Sequence, residues 1–265
     1  MSNLFARFRE TLRDMSETEL AVEIAQPRKL LIETDNARGK RLEIVYAPFD
    51  HVNLAADLVI VGLTPGRQQM RNALIESHRR LAMGEHVSEI LKATKTFASF
   101  SGPMRTNLVA MLDSIAVNRI LGIQSCISLW ADHSHRIHFT SALRYPVFVD
   151  GENFSGTPNI LETTILKKAL SKWFAAEMYA LPNAIFLPLG PHATTAVYAT
   201  SEAIGMKSTK ILSGLPHPSG ANGERIAFFL GRKRQGELSN KVNPAGLIAA
   251  RAALESKISA LGGWS

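Results

Sequence analysis

Cysteine is almost missing from this chain. Cys126 is the single one in 265 residues, so no disulfide can form within the chain, and a multi-cysteine zinc or iron-sulfur centre is excluded. A reducing, cytoplasmic setting is the expectation that follows. No apolar run approaches the ~20 residues needed to span a bilayer. The N-terminus interleaves Phe5, Phe8 and Leu12 with Arg7, Arg9 and Arg13 and has no apolar core of signal-peptide length. There is no Gly-x-Ser-x-Gly elbow, which argues against a nucleophilic hydrolase, and no Gly-Lys-Ser/Thr loop, which argues against nucleotide hydrolysis. Repeats and low-complexity tracts are missing too.

What the chain does have is apolar mass and positive charge. Hydrophobic residues make up 46% of it, enough to bury one large core, so a single α/β domain over residues 1–265 is expected, with an N-terminal helical extension over about 1–40. The net charge of +7 and an isoelectric point near 9.7 favour a polyanionic partner, because Lys and Arg release counterions when they meet phosphates. Helical spacing of apolar residues predicts an amphipathic helix over 4–24. Alternation predicts an edge strand at Leu42 to Tyr46, after a turn at Arg38 to Arg41. The unbroken Leu58-Val59-Ile60-Val61 predicts a strand buried on both faces. Further helices are predicted after Gly66 and over 104–121, 160–179, 193–203 and 244–261, with strands at 136–141, 184–189 and 211–212. Such alternation implies a three-layer α/β/α arrangement on a mainly parallel sheet, whose ligands sit at the carboxyl ends of the strands.

Two of those strand ends carry unusual loops, Gly62-Leu63-Thr64-Pro65-Gly66 and Gly214-Leu215-Pro216-His217-Pro218-Ser219-Gly220. Between them lie Phe100-Ser101-Gly102-Pro103 and Phe139-Thr140-Ser141-Ala142-Leu143-Arg144-Tyr145-Pro146. In type and order these four segments resemble the motifs of the uracil-DNA glycosylase superfamily, over roughly residues 57–231, in a branch that is not of the iron-sulfur type. The resemblance implies a DNA-repair enzyme that flips uracil out of the stack and hydrolyses its N-glycosidic bond, acting as a monomer without cofactor or membrane contact.

The resemblance also implies roles. His217 would hydrogen-bond the departing base, and Thr64 or Gln68 would orient the attacking water. Thr64 stands where the superfamily usually has Asp or Asn. Gly62, Leu63, Gly66, Phe100 and Ser141 would bind the base, Phe100 by stacking and Ser141 in place of the family's Asn. Ser219, Asn222 and Arg225 would contact phosphates, extended by Arg232-Lys233-Arg234. The small Gly220-Ala221 pair stands where the family places an apolar wedge, so single-stranded DNA is the expected preference over duplex. Two alternatives stay open: a non-catalytic binder of uracil-containing or abasic DNA, and a glycosylase for another deaminated base. His133, His135 and His138 invite comparison with a metal site, but strand alternation separates them, and no metal is expected.

Overall fold

A computed structural model describes residues Leu4 to Leu261; the outermost residues of the predicted 1–265 domain lie outside the described residues. The chain is mixed α/β. Its helices are α1 Leu4–Asp14, α2 Glu17–Ala25, α3 Arg67–Ala82, α4 Val87–Ala98, α5 Pro103–Ser114, α6 Val117–Ile120, α7 Thr164–Ala169, α8 Ala175–Tyr179, α9 Pro191–Ala203, α10 Gly223–Phe229 and α11 Pro244–Ala260. Its strands are β1 Leu31–Ala37, β2 Lys40–Val45, β3 Leu58–Gly62, β4 Ile137–Ser141, β5 Val147–Val149, β6 Glu152–Asn153 and β7 Ile185–Pro188. The described residues form two compact units. The first comprises the chain up to Leu54, Leu63–Ser99 and Phe139–Pro182; the second comprises Ala55–Gly62, Phe100–His138 and the chain from Asn183 onward.

The first unit is built on an antiparallel sheet ordered β1-β2-β5-β6. Within the expected helical extension over about 1–40, Leu31–Ala37 is not helical but forms β1 of this sheet. Two tight turns make the strands instead. Arg38-Gly39 joins β1 to β2 with φ of 53° and 76°, and Asp150-Gly151 joins β5 to β6 with φ of 52° and 82°. Paired positive φ values give turns whose twist matches the strands they join. The predicted helix over 4–24 is two helices, because Ser16 caps the second: its hydroxyl accepts the Glu19 N–H, and the Glu19 carboxylate accepts the Ser16 N–H. The predicted 160–179 helix begins at Thr164 and contains one wide turn, Leu170–Phe174. Phe8 stacks on Tyr46 at 4.6 Å between ring centroids, which fastens α1 to the end of β2.

In the second unit β3 lies between β4, of which Ile137 and His138 belong here, and β7. It pairs in parallel with β7 from Leu58↔Ile185 to Val61↔Pro188. Leu58, Val59, Ile60 and Val61 are all buried, as an unbroken apolar run requires. The expected strand at 211–212 is reduced to single parallel bridges, Phe186↔Ile211 and Leu189↔Leu215. The expected 104–121 helix breaks into α5 and α6, since Ala116 adopts φ 63°. Met111, Leu112, Val197, Leu254 and Ile258 fill the core around these strands.

Gly214 opens the second unusual loop at φ 134°, and a Cβ there would meet the Ala250 carbonyl oxygen of α11 at 2.9 Å. Both the backbone conformation and the close approach require glycine. Gly214→Ala is therefore expected to destabilise the protein by more than about 1 kcal/mol, read as a lower urea midpoint at unchanged slope.

Candidate functional site

His217 follows the short parallel bridge at Leu215, and the Gly190 N–H closes the geometry by donating to the Leu215 carbonyl at 3.0 Å. The imidazole Nδ1 accepts the Ser219 N–H at 3.3 Å. An accepting Nδ1 carries no proton, so the neutral ring holds its proton on Nε2. Burial lowers the His217 pKa below its ordinary 6.5, which favours that neutral form. The result is a half-buried donor of fixed tautomer, suited to an oxygen on which negative charge develops.

The three residues expected to contact phosphates are bound to one another. The Asn222 amide donates to Ser219 Oγ at 3.2 Å, Arg225 donates to Asn222 Oδ1 at 3.3 Å, and its other terminal nitrogen donates to the Lys241 carbonyl at 2.6 Å. Asn107 of α5 adds a support that sequence reading missed, donating to the Pro218 carbonyl at 3.0 Å. Gly62 closes β3 and is buried. Phe100 is buried as well, at 4% exposure, and holds φ 48° just before α5.

In the first unit, the Thr64 hydroxyl pins the loop that carries it. It donates to the Tyr145 carbonyl at 3.1 Å and accepts the Val147 N–H at 3.1 Å. With its proton committed, the hydroxyl keeps one lone pair through which it can only accept. The Leu63 carbonyl accepts the Leu143 N–H at 2.9 Å, and Ser141 ends β4 in a buried position. Gln68 is exposed and donates along α3 to Asn72 at 2.9 Å. The amides that open α3 are taken by side chains: Gly66 N–H donates to Gln69 at 3.2 Å, and Arg67 N–H donates to Asn153 at 2.9 Å.

A buried polar cluster in this unit escaped sequence reading. Asp50 accepts the hydroxyls of Tyr46 and Tyr145, each at 2.9 Å, and burial raises its pKa above the ordinary 3.8. Arg144 and Lys95 both face Glu177, at 2.6 and 3.6 Å. Tyr145 lies 95 positions from Asp50, so no spacing in the sequence announces the pair. His133 and His135 sit on a short turn with rings 6.3 Å apart, and His138 lies in β4. Among the described residues no three His, Cys, Asp or Glu side chains form a group able to hold a metal ion. Nor is any helix there long and apolar enough to cross a membrane.

Thr64→Val would leave a carbonyl and an amide unpaired and is expected to cost about 1–3 kcal/mol in unfolding free energy, while Thr64→Ser keeps both bonds and most of the stability. A second expectation concerns pH. Between the lowered His217 pKa and 6.5 the unfolded chain binds more protons than the folded one, so stability declines as pH falls through that window. Urea titrations from neutral to acidic pH should show this decline in the native protein and a smaller one in His217→Gln.

No family model matches the chain, and no solved structure matches it. The uncharacterized protein YoxB of Bacillus subtilis (strain 168) is 37% identical to it over 197 residues, which cover 73% of this chain and 77% of YoxB. At that identity and coverage, the chain belongs to the same family as YoxB.

Proposed function

We propose that the protein is a monomeric, cofactor-independent DNA N-glycosylase that removes uracil, acting inside the cell as a divergent member of the uracil-DNA glycosylase superfamily with that family's layered α/β/α architecture. One observation carries the reading: a half-buried His217 whose Nδ1 accepts the Ser219 amide, so that the neutral ring offers its Nε2 proton from a loop at a strand end. In the reaction, water attacks C1′ of the deoxyribose, the bond from C1′ to N1 breaks with its electron pair leaving on the base, and His217 donates to the base carbonyl as charge builds there. Because this bond strengthens in the transition state, it accelerates the chemical step beyond what binding alone would give. The attacking water sheds a proton to solvent, the departing uracil anion takes one up from solvent, and the products are uracil and an abasic site. The roles that the resemblance gives Gly62, Leu63, Thr64, Gly66, Gln68, Phe100 and Ser141 belong to the same proposal.

A second reading, a non-catalytic binder of uracil-containing or abasic DNA, is favoured by two details. The Thr64 proton is committed to a backbone carbonyl, and Gln68 lies exposed along its own helix. Both readings require DNA binding; turnover separates them.

The deciding assay incubates the protein with uracil-containing single-stranded and duplex oligonucleotides, followed by alkaline cleavage. Strand breaks are expected, faster on the single strand, and lowered about a hundredfold to a thousandfold by His217→Ala. Tight binding with intact strands would leave the binder. Release of hypoxanthine or xanthine but not uracil would move the activity to another deaminated base, and equal or better activity on duplex would refute the strand preference.

A further inference from the structure

Most half-buried cations of the second unit are already engaged. Arg136 pairs with Asp57 at 2.7 Å, Lys233 with Glu224 at 2.7 Å and Arg251 with Glu255 at 2.8 Å, while Arg225 is held by Asn222 and the Lys241 carbonyl. Arg105 differs. Its guanidinium has no hydrogen-bond or ion-pair partner among the described residues, and its Nε is buried with its proton unmatched. What it touches is an aromatic face: the guanidinium carbon stands 5.3 Å from the centre of the Trp130 ring. Burial alone lowers the pKa of Arg105, with no neighbouring anion to offset it. An uncompensated, partly desolvated charge costs free energy in the unbound protein unless an anion arrives to meet it.

The location adds direction. Arg105 lies in the first turn of α5, two residues before Asn107, whose amide holds the Pro218 carbonyl beside His217. The guanidinium is itself a planar fork of donors that matches two oxygens of a phosphate, and the Trp130 ring beneath it attracts the cation. The short loop carrying Trp130 also carries His133, whose Nδ1 is buried without a hydrogen-bond partner.

We infer that Arg105, seated on Trp130, is a phosphodiester-binding site that holds the DNA backbone. This rests on the reading of DNA as the partner, and it assigns the anchoring charge to Arg105 in place of the self-bonded Arg225. Trp130 positions the guanidinium and supplies no charge of its own.

The test measures binding of a fluorescein-labelled oligothymidylate by anisotropy across a chloride series, for the native protein, Arg105→Gln, Arg105→Lys and Trp130→Leu, with uracil release assayed in parallel. Arg105→Gln should weaken binding roughly tenfold or more at low salt and flatten the slope of log affinity against log salt by about 0.7, the share of one phosphate on a single strand. Arg105→Lys keeps the charge and should keep the slope with intermediate affinity, which also controls for misfolding. Trp130→Leu should weaken binding at unchanged slope. Native affinity and slope in Arg105→Gln would overturn the inference even if uracil is released. Loss of binding in Arg105→Gln, with no uracil released by the native protein, would sink the glycosylase reading and leave this site standing. Absence of DNA binding by the native protein would end both. Displacement of the oligonucleotide by inorganic phosphate beyond a chloride control of equal ionic strength would show a free-anion site and overturn the assignment to backbone.

Discussion

The parallel pairing of β3 with β7, continued by two single bridges to the segment after Lys210, is the constraint on which the second unit depends. Parallel strands leave every amide slanted toward a partner that arrives from far along the chain, so their stability comes from burial on both faces. Leu58 to Val61 and Ile185 to Leu187 supply that burial. The bridge at Leu189↔Leu215 then delivers His217 two residues later, and Gly214 lets the same segment pass against the Ala250 carbonyl of α11. The histidine is thus placed by backbone pairing, and its tautomer by an amide two residues on.

The first unit faces a different constraint, that of keeping charge in its interior. Glu177, with no exposure, is met by Arg144 and Lys95, both nearly as deep. Burial pushes the Lys95 pKa down to about 8, and the pull of Glu177 opposes it. Removing one member of such a group leaves the others unmatched, a loss of about 3–5 kcal/mol in comparable settings. Arg144 and Tyr145 also belong to the segment that the Thr64 hydroxyl binds, at the Tyr145 carbonyl and the Val147 N–H. The loop at Thr64 is therefore anchored through a segment that is itself locked by buried charge, and this rigidity is a property of the unit whatever reaction it serves.

Much of the element pattern was readable because it is local. The apolar run of β3, the helix α9 and the long α11 all appeared about where spacing put them. Of the antiparallel sheet only β2 was readable, from the alternation of Leu42 to Tyr46; β1, β5 and β6 were not, although Asp150-Gly151 is the kind of dipeptide that closes a two-residue hairpin. Those three strands are too short or too polar for alternation to stand out. Ser16 and Glu19 likewise formed a legible capping box inside what periodicity alone read as one helix. Of the candidate residues, His217 and its Ser219 partner were legible as a motif, whereas Asp50, Asn107 and Arg105 were not, since each depends on a group remote in the chain.

By itself the sequence determined the mixed α/β character, the buried strand at Leu58, the lack of any disulfide framework and the proline-bracketed setting of His217. These follow from composition, from period and from residues within one turn of each other. Tertiary structure decided which side chains are free to act. It turned Thr64 into a pin, closed Ser219, Asn222 and Arg225 on one another, buried Phe100, and left Arg105 on Trp130 without an anion. Hydrogen-bonding capacity is a property of a residue type, but whether that capacity is already satisfied depends on which distant groups the fold brings within 3 Å or so.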